Sequence, residues 1–266
     1  MSLGANIIVG RTRMIYEDLK GKKVLVTGSS SGIGAAAAIM FSRQGCFVGV
    51  HYFQTKKGGE KTLEQVKKNS DGVLLCGDVR DEEQVSKMVE QFAKEAGSID
   101  ILVNNAGSLI DRQPFESATL DYHEDVYATN VLSVFLATRE ALPYLKKSKG
   151  NIVNIGSLAS HTGGGGGSGI YAGAKAAVAT ETIAMAKEFA KSGIRVNSVL
   201  PGLIETRFHK RFSTAERRKK VAEQTPLGRN GTAEDVAKTI LFLASDAASF
   251  ITGEYIAVNG GLYMRA

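Results

Sequence analysis

Short apolar runs alternate with longer stretches of helical spacing along almost the whole chain, and this alternation constrains the fold more than any single residue does. Residues 23–27, 47–51, 72–76, 99–104, 151–155, 194–200 and 255–258 read as seven short strands. They are nearly continuously apolar, as strands covered on both faces must be. Between them, residues 35–44, 61–68, 82–96, 122–147, 171–191 and 233–244 carry the 3.6-residue period of helices. Regular βα alternation demands right-handed crossovers, so the expectation is a parallel sheet with helices on both faces. Thr232, followed by Glu234 and Asp235, is a plausible cap for the last helix. No shift in composition divides the chain, so residues 21–266 are expected to form one domain behind an N-terminal arm over 1–20.

The first strand runs into Thr27-Gly-Ser-Ser-Ser-Gly-Ile-Gly34, which in turn opens a helix. Glycines at 28, 32 and 34 let backbone turn tightly and approach a pyrophosphate at the positive end of that helix. A plain strand-to-helix turn is the bland alternative. With the strand pattern, the turn points to a three-layer α/β Rossmann fold with a seven-stranded parallel sheet. Gly28, Ser30, Ser31, Gly32, Ile33 and Gly34 are its candidate phosphate-binding residues.

Further contacts to a dinucleotide are expected at the carboxyl ends of the following strands. The second strand ends at Tyr52 and Phe53, where a carboxylate would bind the ribose of NAD, and none is present. Lys56 and Lys57 follow, so a 2′-phosphate meets no acid there. NADP(H) is therefore preferred over NAD(H), although Ser31 stands where a cation would have strengthened the preference. Asp78 and Val79 are placed to meet the adenine, with a helix cap as the rival role for the aspartate. Asn104-Asn-Ala-Gly107 sets small residues at the sheet edge, with Asn105, Ala106 and Gly107 as cofactor contacts.

Tyr171 and Lys175 are spaced to share one helix face. An ammonium beside a phenol favours the phenolate and draws its pKa down from about 10, which would suit the phenol to proton exchange.

Composition narrows the remaining choices. No run reaches the roughly 18 apolar residues of a membrane span, and the start lacks a signal-peptide pattern, so a cytoplasmic protein is expected. Cys46 and Cys76 form no Cys-x-x-Cys pair and are read as buried free thiols. The four histidines lack metal-ligand spacing, and no metal site is expected. Much of the net charge of +6 lies between residues 207 and 220, which reads first as a solvated helix face and second as a surface for an acidic ligand or partner. That run has no aromatic repeats, so no nucleic-acid partner is expected.

The glycine turn, Asn104-Asn-Ala-Gly107, Asn130, Ser157, Tyr171-x-x-x-Lys175 and Pro201-Gly202 occur in an order that resembles the short-chain dehydrogenases/reductases, from about Gly21 onward. Residues 242–246, 251–253 and 258–261 are similar to the 3-oxoacyl-[acyl-carrier-protein] reductase branch, with sugar-alcohol dehydrogenases close by. The resemblance implies a carbonyl–alcohol oxidoreductase in which Tyr171 is the acid/base, Lys175 binds the nicotinamide ribose, Ser157 holds the substrate oxygen and Asn130 supports a water path to Lys175. Pro201, Gly202, Ile204 and Thr206 would cover the nicotinamide. It also implies a carbonyl, alcohol or acyl-thioester substrate and a homotetramer. Lys146, Lys147, Lys149, Lys187 and Lys191 could dock an acyl carrier protein, or be solvated. A nucleotide-binding regulator without catalysis is disfavoured, because all four catalytic positions hold competent residues. One departure stands out: residues 163–167 are five consecutive glycines in a loop one residue longer than usual, expected to be mobile before substrate binds.

Overall fold

A computed structural model describes residues 16–264. Its centre is a seven-stranded, all-parallel sheet of β1 (Lys23–Val26), β2 (Phe47–Tyr52), β3 (Gly72–Cys76), β4 (Ile101–Asn104), β5 (Asn151–Ile155), β6 (Arg195–Pro201) and β7 (Tyr255–Val258), in the order β3-β2-β1-β4-β5-β6-β7. The order reverses between β1 and β4. Connections leaving these two strands depart in opposite directions and open a crevice at their carboxyl ends.

Alternation of side chains along the strands splits the core into two layers. Val24, Val26, Val48, Val50, Val103 and Val153 face α1 (Gly32–Ser42), α2 (Lys56–Lys67) and α10 (Ala233–Ala244). Leu25, Leu102, Ile152 and Val196 face α3 (Glu82–Ala96), α5 (Ser133–Ser148) and α7 (Gly169–Phe189). The expected three-layer Rossmann architecture is therefore present. At Gly49 a Cβ would lie 2.7 Å from Phe92 Cδ2, which leaves glycine as the residue that lets β2 and α3 pack at this distance.

One polar line crosses the otherwise apolar α5/α7 layer. Asn104 Nδ2 donates to Thr138 Oγ1 (3.1 Å) and Asn154 Oδ1 (2.9 Å), and Asn154 Nδ2 donates to Thr182 Oγ1 (2.9 Å). All four side chains are buried, and the line joins α5, β4, β5 and α7. Asn104, the first residue of the Asn-Asn-Ala-Gly motif, thus points into the core rather than toward the crevice.

Several local expectations change in the folded chain. The helix expected over 122–147 is α4 (Leu120–Tyr127) and α5 joined by a π-helical turn, Ala128–Leu132. The basic stretch read as a solvated helix face holds two helices, α8 (Arg207–Phe212) and α9 (Ala215–Gln224), and α6 (Ala159–Thr162) is a single turn. Thr232 caps α10 in a full capping box with Asp235. Within the stretch read as an arm, residues 16–20 pack on the body: Leu19 is buried and Tyr16 N–H donates to Gln44 Oε1 at 2.9 Å. Residues 1–15 lie outside the described range. Of the two cysteines read as buried, Cys46 is buried and burial pushes its thiol up to about 12, but Cys76 is exposed. Its strand, β3, is the sheet's edge, and the end of that strand is left uncovered. No described helix is long and apolar enough to cross a membrane.

Replacing Thr182 by its isostere valine orphans Asn154 Nδ2 while keeping the volume. A loss of about 1–3 kcal/mol in urea unfolding is expected.

Candidate active site

The crevice above β1 and β4 is a cleft of about 740 Å³. Its floor at the β1 end is the glycine-rich turn. Gly28 (φ 64°) and Gly32 (φ 59°) adopt left-handed backbone that other residues reach at a cost. A Cβ on Gly34 would come within 2.6 Å of Gly28 O, so the third glycine is fixed by the closeness of the turn to the first residues of α1. Ser30, Ser31, Gly32 and Ile33 line the cleft as expected.

The turn is held in part by His51 and Ser29, which the sequence had not marked as site residues. Gly28 N–H donates to His51 Nδ1 (2.8 Å), which requires that the proton sit on Nε2, where the ring donates to Gly77 O (2.9 Å). Burial holds the His51 pKa below 6.5, so this tautomer stays neutral. Ser29 Oγ donates to Val26 O (2.8 Å), and Thr27 Oγ1 accepts from the backbone N–H groups of Asn105 and Ala106 (both 3.0 Å). Asn105 spends its amide on Thr27 O (2.9 Å) and Gly28 O (3.0 Å), so it shapes the turn from across the crevice. A buried histidine on a strand carries no periodic signal. Only the folded pairing of β1 with β2 reveals its role.

At the far end, Tyr52, Phe53, Asp78 and Val79 line the cleft. Arg80 engages both carboxylate oxygens of Asp78 (2.7 Å at the shortest), and although burial pushes that carboxyl up, the arginine's hydrogen bonds hold it below its ordinary range. Lys56 and Lys57 are exposed on α2, and Lys56 faces Glu60 at 3.9 Å. Gln54 and Thr55, rather than the two lysines, line the cleft next to Phe53.

Tyr171 and Lys175 lie in the first two turns of α7, and both line the cleft with Ser157. Lys175 is buried, its Nζ donating to Ile155 O (2.8 Å) and standing 5.9 Å from the centre of the Tyr171 ring. Burial lowers its pKa to about 8. The phenol does not show the lowered pKa expected from its neighbour. Desolvation of the hydroxyl raises it to about 12, with only the Ser157 hydrogen bond pulling the other way. The ammonium's own acidity, and its bond to Ile155 O, blunt its effect on the phenol. Ser157 Oγ accepts from Ala159 N–H (3.1 Å), which leaves its proton free to donate.

Asn130 sits in the π-turn. There it donates to Val126 O (2.8 Å) and Ser108 O (2.7 Å) and accepts from Ser108 N–H (3.2 Å). π-turns widen a helix to admit such side-chain bonds, often at functional positions. A Cβ on Gly107 would lie 2.8 Å from Asn130 Oδ1 and 3.1 Å from Lys175 Nζ, so these three converge on one point. The conjunction of a glycine cradle, a deep Ser–Tyr pair and a buried lysine at a topological switch fits a pyridine dinucleotide.

The family described as enoyl-(acyl carrier protein) reductase matches residues 28–263. The chain belongs to the short-chain dehydrogenases/reductases. It is 37% identical over 245 residues to the 3-oxoacyl-[acyl-carrier-protein] reductase FabG of Staphylococcus aureus, covering 91% of this chain and 98% of that protein. The Escherichia coli protein of the same name is 37% identical over 248 residues, covering 93% and 99%. Among solved structures, an NADH-dependent reductase A1-R′ responsible for alginate metabolism superposes with a TM-score of 0.87 at 33% identity, over 94% of this chain and all of that one. This short-chain dehydrogenase/reductase is therefore an oxidoreductase that uses a nicotinamide cofactor.

Pro201, Gly202, Ile204 and Thr206 line the cleft beyond Ser157. Gly202 N–H is tied to Val258 O at 3.0 Å, and the Thr206 side chain lies within 3.6 Å of a Cβ built on Gly32. The basic stretch is exposed helix, as its first reading has it, and Arg207, Arg211 and Arg217 also line the cleft, together with Arg112. Nothing in sequence spacing marks Arg112, which reaches the wall through the loop after β4.

Because His51 is neutral in the fold and free to protonate when unfolded, its contribution is fully present above pH 6.5 and is lost as pH falls. Urea titrations below pH 6.5 should show falling stability. The slope should be shallower in His51→Gln, by at most about 1.4 kcal/mol per pH unit.

Proposed function

We propose that this enzyme interconverts a carbonyl and a secondary alcohol with NADP(H), with Tyr171 as the acid/base. The observation that carries the reading is the deep Ser157–Tyr171 pair beside buried Lys175 in the cleft above β1 and β4. A phenol raised to about 12 is fully protonated at neutral pH, which suits it to donate a proton. The cofactor supplies the hydride.

In the reduction direction the substrate's carbonyl oxygen lies between Ser157 and Tyr171. Ser157 O–H donates to it and stabilises the charge that develops there. Tyr171 O–H delivers the proton. Lys175, with a pKa of about 8, remains largely charged near neutrality and binds the ribose hydroxyls. Asn130 fixes Gly107 and Ser108 against Lys175 and keeps lone-pair capacity on Oδ1 for a water path to it. The glycine turn, Ser30 and Ser31 bind the pyrophosphate. Asp78 and Val79 flank the adenine, the carboxylate acting with Arg80. Absence of an acid at Phe53, with Gln54 and Thr55 beside it, favours the 2′-phosphate of NADP.

The relatives named as 3-oxoacyl-[acyl-carrier-protein] reductases support a 3-oxoacyl thioester as substrate, with the lysines near the ends of α5 and α7 docking the carrier. A second reading, reduction of a small sugar-like oxo compound, draws on the reductase of alginate metabolism and on the arginines that line the cleft. A homotetramer accords with either.

Tyr171→Phe should lower kcat by about 10²–10⁴-fold while cofactor affinity, read by calorimetry, stays within about twofold. Full activity of that variant would remove Tyr171 from the acid/base role. In parallel assays kcat/KM should be higher with NADPH than with NADH, and a clear NADH preference would reverse the cofactor assignment.

A further inference from the structure

Two arginines that line the cleft, Arg112 and Arg217, pack against the same glycine loop, and no salt bridge to a carboxylate holds either among the described residues. Arg112 Nη1 donates to Gly166 O (2.7 Å) and its Nε to Phe212 O (2.8 Å), which fixes the group and leaves the Nη2 donors unused. Arg217 lies on the other side of the same loop. Its guanidinium packs so closely on Gly165 that a Cβ there would overlap it, and a Cβ on Gly167 would stand 3.1 Å from the Arg112 side chain. The five-glycine loop thus has a steric purpose: it lets both arginines close on the cleft.

Among the described residues no carboxylate forms an ion pair with either. Burial, and next Arg217, hold the Arg112 pKa below its ordinary value, and His209 is pushed down to about 4 by burial, with Arg112, Arg217 and Arg218 opposing its protonation against Glu205. Glu205 is already engaged by Arg218 (3.5 Å) and Asn230 (2.7 Å). Asp78 is the one carboxylate among the described residues lining the cleft, and it is bound to Arg80 at the adenine end. Arg217 also stands in the first turn of α9, where the helix dipole disfavours a cation. Phe208 lines the same cleft, its ring centre 6.1 Å from that of Tyr171.

We infer that Arg112 and Arg217 form a subsite for an anionic group, a carboxylate or a phosphate, carried by the substrate whose carbonyl Tyr171 protonates. The inference rests on the carbonyl-reductase reading. A guanidinium pair binds either oxyanion through charge-assisted, fork-like hydrogen bonds. The anion has two possible sources, the carboxylate of a small oxo acid or the phosphate of a phosphopantetheine arm bearing a 3-oxoacyl group.

The test compares charged and neutral partners with the wild-type enzyme and saturating cofactor. 3-Oxobutanoate, 4-oxopentanoate and 5-oxohexanoate are each assayed against their methyl esters, and acetoacetyl-phosphopantetheine against acetoacetyl-pantetheine. At least one charged member should exceed its neutral partner in kcat/KM by about fivefold or more. That ratio should collapse toward one in Arg217→Gln and be partly restored in Arg217→Lys. Preference among the acids identifies a carboxylate substrate, and preference in the pantetheine pair identifies the carrier arm. Ratios below about fivefold in every pair, or a preference unchanged in Arg217→Gln, overturn the subsite while turnover of the neutral ketones leaves the reductase reading intact. Failure to reduce any of these ketones with either cofactor removes both.

Discussion

The buried line Thr138–Asn104–Asn154–Thr182 ties α5 and α7 to the sheet. An apolar contact between helix and sheet can slide, because dispersion is non-directional. A hydrogen bond between buried amides cannot slide without orphaning its partners. Through this line α7, which carries Tyr171 and Lys175, is registered against β5, which supplies Ile155 O to Lys175. The same line registers α5 and the π-turn of Asn130 against β4. Asn104 Oδ1 has no hydrogen-bond partner among the described residues, so the line is satisfied on the amide side and incomplete on one carbonyl.

Around that anchor, backbone and charge have separate tasks. At one end of the cleft, glycine geometry and neutral His51 present a turn without a charged side chain, as suits a pyrophosphate bound by N–H groups. In the middle, desolvation keeps the phenol protonated and moves the lysine toward neutrality, so burial pushes both groups toward their uncharged forms. At the other end, the glycine loop serves close approach rather than mobility alone. It brings the held Arg112 and the exposed Arg217 to a wall that has no acid among the described residues.

Much of this was legible beforehand, and the parts that were share a cause. The seven strands, their parallel order and most helices follow from periodicity, because burial on two faces imposes a pattern on every residue of the element. The glycine turn and the Tyr-x-x-x-Lys pair were legible because each acts through local spacing. Helices α8 and α9 were legible only as a charged helix face without bounds, since such exposed faces carry little apolar period. Cys76 was misjudged because a strand's apolar run does not say whether it ends at the edge of the sheet.

The sequence by itself determined the layered fold, the place of the glycine-rich turn and the setting of Tyr171 and Lys175 on one helix face, because these depend on contacts between neighbours in the chain or on repeated burial. Only the tertiary structure decided the protonation tendencies of Tyr171 and Lys175, the service of His51 and Asn105 to the turn, and the meeting of Arg112 with Arg217. Each of these depends on desolvation or on approach between segments up to 105 residues apart in the chain, counted from 112 to 217, and neither quantity is written in local pattern.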